Sequence, residues 1–107
     1  MMYRRLSQQE RKLLALLIKK SNSTFDPSWK TKMIVRPMKD GGMGSLVLYP
    51  DGVFVNGRSY GGLVSDYMFK EKDNVDVLAS LYVDKSGKLF ELDMWKVNYE
   101  PLIAIDI

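Results

Sequence analysis

Residues 75–97, VDVLASLYVDKSGKLFELDMWKV, read as one antiparallel hairpin. Two runs rich in β-branched, aliphatic and aromatic residues flank Asp84-Lys85-Ser86-Gly87-Lys88. Glycine at the last loop position suits a type I turn closed by a bulge, because glycine takes positive φ at little cost. Centring the turn on Ser86 pairs Tyr82 with Phe90, Ser80 with Leu92, Leu78 with Met94 and Asp76 with Lys96. That face is mainly apolar and ends in an ion pair. The other face pairs Val83 with Leu89, Leu81 with Glu91, Ala79 with Asp93, Val77 with Trp95 and Val75 with Val97. Apolar groups on both faces place the hairpin in the middle of a sheet.

The chain on the N-terminal side of the hairpin supplies the rest of that sheet. Tyr60–Phe69 reads as a strand, with Gly61-Gly62 marking a bulge or a close approach. Lys70–Asn74 is a charged loop. Met33–Met38 and Ser45–Tyr49 are two further strands, separated by the turn Asp40-Gly41-Gly42-Met43-Gly44. Pro50-Asp51-Gly52 turns into a short strand, Val53–Val55, and Asn56-Gly57 signals a type I′ turn. Tight turns between successive strands favour an antiparallel meander.

Ser7-Gln8-Gln9-Glu10 is a capping box, so a helix is predicted from about Gln8 to about Lys20. At 100° per residue, Leu6, Leu13, Leu14 and Leu17 share one arc, flanked by Leu16 and Ile18. Gln8, Lys12 and Lys19 lie opposite. Ser21–Thr31 is a connection with Phe25 and Trp29 as anchors. The predicted fold is α+β: one N-terminal helix packed on an antiparallel meander sheet of five or six strands, in a single domain spanning residues 1–107. Ile103-Ala104-Ile105-Asp106-Ile107 alternates. It either adds an edge strand to its own sheet or pairs with a second chain.

Composition narrows the chemistry. The 107 residues hold no Cys and no His. This argues against disulfides, thiolate chemistry, zinc sites and His-assisted nucleophiles. No cofactor or metal is expected, and no catalytic set emerges. The longest apolar run, Leu13–Ile18, is too short for a membrane span, and the N-terminus lacks a signal-peptide pattern. A cytoplasmic protein with no membrane contact is expected. The net charge of +3 hides a split. Residues 1–39 carry ten Lys/Arg against Glu10 and Asp26, a net of +8; residues 40–107 carry six against eleven Asp/Glu, a net of −5. Such asymmetry can mark a nucleic-acid arm. The basic residues spread around the helix, so a basic helix packed near an acidic sheet is the simpler account, and nucleic acid is not the expected partner.

Glu91 and Asp93 are the candidate functional carboxylates. Two apart in a strand, they point the same way, with Trp95 on the same face. Buried carboxylates need partners. Arg36 and Arg58 are the candidates for that role. The Asp40–Gly44 turn lacks the Gly-Lys-Ser/Thr ending and following helix of a phosphate loop.

Arg5-Leu6-Ser7 with Glu10, then Asp40–Leu46, then Val83–Val97 with its closing Leu-Asp-Met-Trp-Lys-Val, and finally Pro101-Leu102 together resemble a family of small uncharacterised bacterial proteins. That family carries only an unknown-function label. The resemblance implies a compact α+β domain of bacterial origin and supplies no catalytic residue. The expected function is a non-enzymatic protein-interaction module, in one form immunity- or antitoxin-like, working through Glu91, Asp93 and Trp95 on a protein partner or as a homodimer. The alternative is a small-ligand binder or enzyme that uses the carboxylate pair, with Arg36 or Arg58 holding an anion.

Overall fold

A computed structural model of the protein describes residues 2–105 and 107. The elements run β1 (Arg4–Arg5), α1 (Gln8–Ser21), α2 (Trp29–Lys32), β2 (Ile34–Pro37), β3 (Leu46–Tyr49), β4 (Tyr60–Lys70), β5 (Asp76–Asp84) and β6 (Leu89–Lys96). The strands form one antiparallel sheet in the order β1-β2-β3-β6-β5-β4. The final hairpin lies inside the sheet, as predicted from its apolar content, with β6 at the centre and β5 next to the edge strand β4. The sheet comprises two three-stranded halves. They meet where β3 pairs with β6 at Leu46–Leu92 and Val47–Glu91. Beyond those positions the Ser45 hydroxyl extends the join: it accepts the Met94 N–H at 2.8 Å and donates to the Met94 carbonyl.

The helix begins as its capping box requires. Ser7 Oγ accepts the Glu10 N–H at 3.1 Å, and Glu10 Oε1 accepts the Ser7 N–H at 2.8 Å. Arg4 clamps both oxygens of the same Glu10 at 2.7 and 2.8 Å, which ties β1 to the helix start. Leu13, Leu14 and Leu17 are fully buried against a sheet face built from Val35, Leu48, Val77, Ala79, Leu81, Leu92 and Met94. Ser65 Oγ donates to the Leu17 carbonyl at 2.6 Å and fixes α1 over β4.

The sheet is α+β and antiparallel as expected but not a simple meander, because β3 pairs with β6 and the chain crosses to the far edge at β4. Three further sequence-based expectations change. The hairpin turn forms around Gly87 at φ +84°, but the register slips by one after Val83–Leu89. Phe90 is the extra residue of a β-bulge, so Tyr82 opposes Glu91, Ser80 opposes Asp93 and Leu78 opposes Trp95. The bulge lets Leu89, Leu92 and Met94 all reach the core. Second, Val53–Val55 form no strand; these half-exposed residues belong to a loop over residues 50–59. Third, Asp76 pairs with Lys70 and not with Lys96.

Lys96 turns inward instead. It meets Glu71 at 3.0 Å and Asp73 at 2.6 Å, and the Lys96 and Glu71 side chains are 1% and 0% exposed. The second oxygen of Glu71 accepts the backbone N–H groups of Ile103 and Ala104, both at 2.7 Å. Residues 103–105 are therefore held by a carboxylate and form no edge strand; Asp106 lies outside the described residues.

Candidate interaction face

The side of the sheet opposite α1 is largely bare. Antiparallel register sorts its side chains into three rows. The first runs Arg36, Val47, Glu91, Tyr82, Leu63. The second runs Asp93, Ser80, Asp66. The third runs Trp95, Leu78, Met68. Leu63 is 53% exposed, Met68 50% and Trp95 45%, while Val47 and Ser80 form a buried floor. Carboxylates thus occupy the centre, and apolar side chains stand on either side of them.

The centre is not neutralised. Burial raises the pKa of Glu91, and the neighbouring Asp93 charge adds to the rise against a smaller opposing pull from Arg58. Burial also raises that of Asp93, helped by the charge of Asp40. Oδ1 of Asp93 is buried and accepts no hydrogen bond, and Nε of Arg36 is buried and donates none. Asp40 sits at the edge of this group because its carboxylate is tied down by the N–H groups of Met43 and Ser45.

Of the five predicted site residues, Glu91, Asp93, Trp95 and Arg36 share the open face. Arg58 lies at one end of that face, in the depression that Arg36 and Glu91 also line, and it makes structural contacts as well. Its Nε pairs with Asp84 at 2.9 Å, and its other nitrogens donate to the carbonyls of Leu48 and Leu89. The guanidinium lies 4.9 Å from the Phe90 ring centre and 5.6 Å from that of Tyr49. Arg58 pins the 50–59 loop to the sheet. Phe54 of the same loop packs with Tyr3 and Tyr49, all three ring centres 5.6–5.8 Å apart, and covers that end of the face.

Arg36, Val47 and Glu91 line two adjoining depressions. One, of about 320 Å³, extends under the loop to Tyr49, Phe54 and Arg58. The other, of about 820 Å³, opens toward Met2, Pro37 and Met38. Asp93 and Trp95 lie outside both. Among the described residues no three carboxylates gather closely enough to hold a metal ion. Sequence reasoning missed Ser80 and Tyr82 as neighbours of the carboxylates, because the unforeseen bulge sets who opposes whom.

Asp93 has a thermodynamic consequence. A carboxyl whose pKa rises on folding favours the folded state at low pH and loses that contribution as pH climbs through the raised value. Asp93→Asn is expected to raise Tm at pH 7 and to change it little at pH 3. Thermal melts at the two pH values check this, and a lower Tm at pH 7 contradicts it.

These observations define a class: an α+β fold with a helix on one side of an antiparallel sheet and a mixed acidic and apolar surface on the other. Residues 3–106 match the family model described as Domain of unknown function (DUF6984), and the chain belongs to that family. Neither the curated proteins nor the solved structures offer a match.

Proposed function

We propose that the protein is a non-enzymatic binding module whose open sheet face takes up a protein partner presenting Lys or Arg side chains beside apolar ones. The observation that carries this reading is the pair of uncompensated carboxylates, Glu91 and Asp93, between rows of exposed apolar side chains. Burial first, and neighbouring carboxylates second, disfavour the charged forms of Glu91 and Asp93; a cation brought by a partner favours those forms, and Trp95 offers an aromatic anchor beside it. Most of the chain's positive charge lies in residues 1–39, largely on and around α1, so the net charge of +3 does not describe this surface. An immunity- or antitoxin-like role, masking an active protein in the cytoplasm, is one form of the reading. No helix among the described residues is long and apolar enough to cross a membrane.

Site-specific photocrosslinking tests it. A benzophenone amino acid replaces Trp95 in one chain and the helix-exposed Lys12 in another, and both are expressed in the native host. One stoichiometric protein adduct is expected from position 95 only, and it is lost when Glu91→Lys and Asp93→Lys are added. Equal adducts from both positions, or none from position 95, overturn the proposal. The small-ligand reading keeps one supporting observation: Arg36, Glu91 and Arg58 share the 320 Å³ depression with Tyr49, Phe54 and Phe90. A low-molecular-weight compound retained by the purified protein and released by Arg36→Ala would favour it.

A further inference from the structure

β4 ends the sheet, and among the described residues no strand pairs with its outer edge. Natural proteins blunt such edges, because unpaired N–H and C=O groups invite another strand. Here the blunting is uneven. Bulges lie between Tyr60 and Gly62 and between Leu63 and Ser65, whereas Ser65–Lys70 runs in regular register against Leu81–Asp76. Two further facts show which backbone groups point outward. Glu71 N–H donates across to the Val75 carbonyl at 3.0 Å, so odd-numbered residues bond to β5 and even-numbered ones face away. Consistently, the Asp66 carbonyl is met from outside the sheet by Lys20 Nζ at 2.8 Å. The outer edge therefore offers the N–H and C=O groups of Asp66, Met68 and Lys70, and all three side chains lie on the open face.

We propose that this edge pairs with the same edge of a second copy of the chain, antiparallel about a two-fold axis at Met68. In that register Met68 faces Met68 of the second copy. Asp66 faces Lys70 of the second copy, and Lys70 faces its Asp66. The opposed residues share a face, and the outward backbone groups of Asp66, Met68 and Lys70 meet as hydrogen-bonded pairs. Moving the axis by two residues sets Asp66 against Asp66 or Lys70 against Lys70. Moving it by one, to Tyr67 or Phe69, sets Asp66 or Lys70 against Met68 and loses the reciprocal Asp66–Lys70 pairs. The half-exposed Met68 is covered, and two ion pairs flank it. The contact is isologous and closes on itself, so it yields a dimer and not a fibre.

A pairing of this length falls below the roughly 1,200–2,000 Å² buried in stable complexes, so the dimer is weak and depends on concentration. Two contacts compete with it: the Lys20 ammonium must release the Asp66 carbonyl before the second strand docks, and Lys70, which meets Asp76 at 3.0 Å on an exposed surface, must turn to or be shared with Asp66 of the second copy. This inference concerns the edge alone and does not depend on what occupies the open face.

Sedimentation equilibrium of the purified 12.3 kDa chain, from about 10 μM to about 1 mM, tests the pairing. The native chain is expected to pass from monomer to dimer in the upper decade of that range. Lys20→Ala is expected to do so at several-fold lower concentration. Asp66→Lys alone and Lys70→Asp alone each set like charges in opposition and stay monomeric. Mixed in equal amounts they restore both ion pairs and form a heterodimer, whose mass native mass spectrometry distinguishes. Should Lys70→Asp fail to fold, the exposed Met68→Lys carries the test and must stay monomeric. A native chain that is monomeric at 1 mM overturns the proposal. So does a Met68→Lys or Asp66→Lys chain that dimerises as the native one does, or a mixture of folded variants that does not associate.

Discussion

Arg58→Ala is expected to cost about 3–5 kcal/mol of stability, because it breaks a buried ion pair and leaves one partner behind. The Arg58 and Asp84 side chains are only 9% and 6% exposed. The guanidinium also satisfies the carbonyls of Leu48 in β3 and Leu89 in β6, so its removal strips donors from two central strands and frees the 50–59 loop. Urea unfolding at pH 7 measures the loss, and a cost under about 1 kcal/mol contradicts the assignment. A second measurement isolates the electrostatics. Burial pushes the Asp84 pKa upward. The Ser86 hydroxyl, Arg58 and the N–H groups of Lys88 and Ser86 outweigh it and bring the carboxyl down from 3.8 to about 2. A lowered carboxyl stabilises the fold above its ordinary pKa and loses that contribution as pH falls through the folded value. Without Arg58 the folded value moves back toward 3.8, so acid unfolding of the variant is expected to begin at higher pH. Arg58→Lys is expected to rescue little, since a single ammonium cannot reproduce the forked contacts to Asp84 and two carbonyls.

Glu71→Ala is expected to lower Tm by roughly 15 °C, the scale expected for breaking a sealed ion pair in a protein of this size. Three losses coincide. Lys96 keeps its charge in a buried site with only the partly exposed Asp73 opposite it. The N–H groups of Ile103 and Ala104 lose their acceptor. Leu102 and Ile105, which pack against the core, lose the tether that holds their segment in place. Amide hydrogen exchange distinguishes this from general weakening. The amides of Ile103 and Ala104 are expected to lose protection in the variant under conditions where those of β5 retain it. Retention of protection at both amides contradicts the tether.

The elements fixed by local chemistry were legible in the sequence. The Ser7–Glu10 capping box, the leucine arc of the helix, the Gly87 turn and the central place of the last hairpin all follow from spacing within a few residues. The pairing partners were not, and the reason is one residue. Nothing in Leu89-Phe90-Glu91-Leu92 announces a bulge, yet the core needs both Leu89 and Leu92, which strict alternation sets on opposite faces. The bulge at Phe90 meets that need and moves every later residue by one place. Glu91, Asp93 and Trp95 still share a face, because alternation resumes after it. The roles of Glu71 and Arg58 were illegible for a different reason. Each acts on groups distant in sequence, and a charged residue in a loop gives no sign that it will be buried. The two-residue β1 and the four-residue α2 are too short to leave a periodic signal.

The narrow join between β3 and β6 gives the molecule a line of weakness. The β4–β5–β6 half is built from adjacent hairpins that close short loops, whereas Leu46 must find Leu92 across a long stretch of chain, a more demanding entropic step. The Ser45 hydroxyl is the last stitch along that seam. Glu91 lies on it, with Val47 and Arg36 on one bank and Tyr82 and Leu63 on the other. Anything that settles over Glu91 touches both leaves and braces the join between them, so a partner bound there is expected to raise the stability of the fold as a whole.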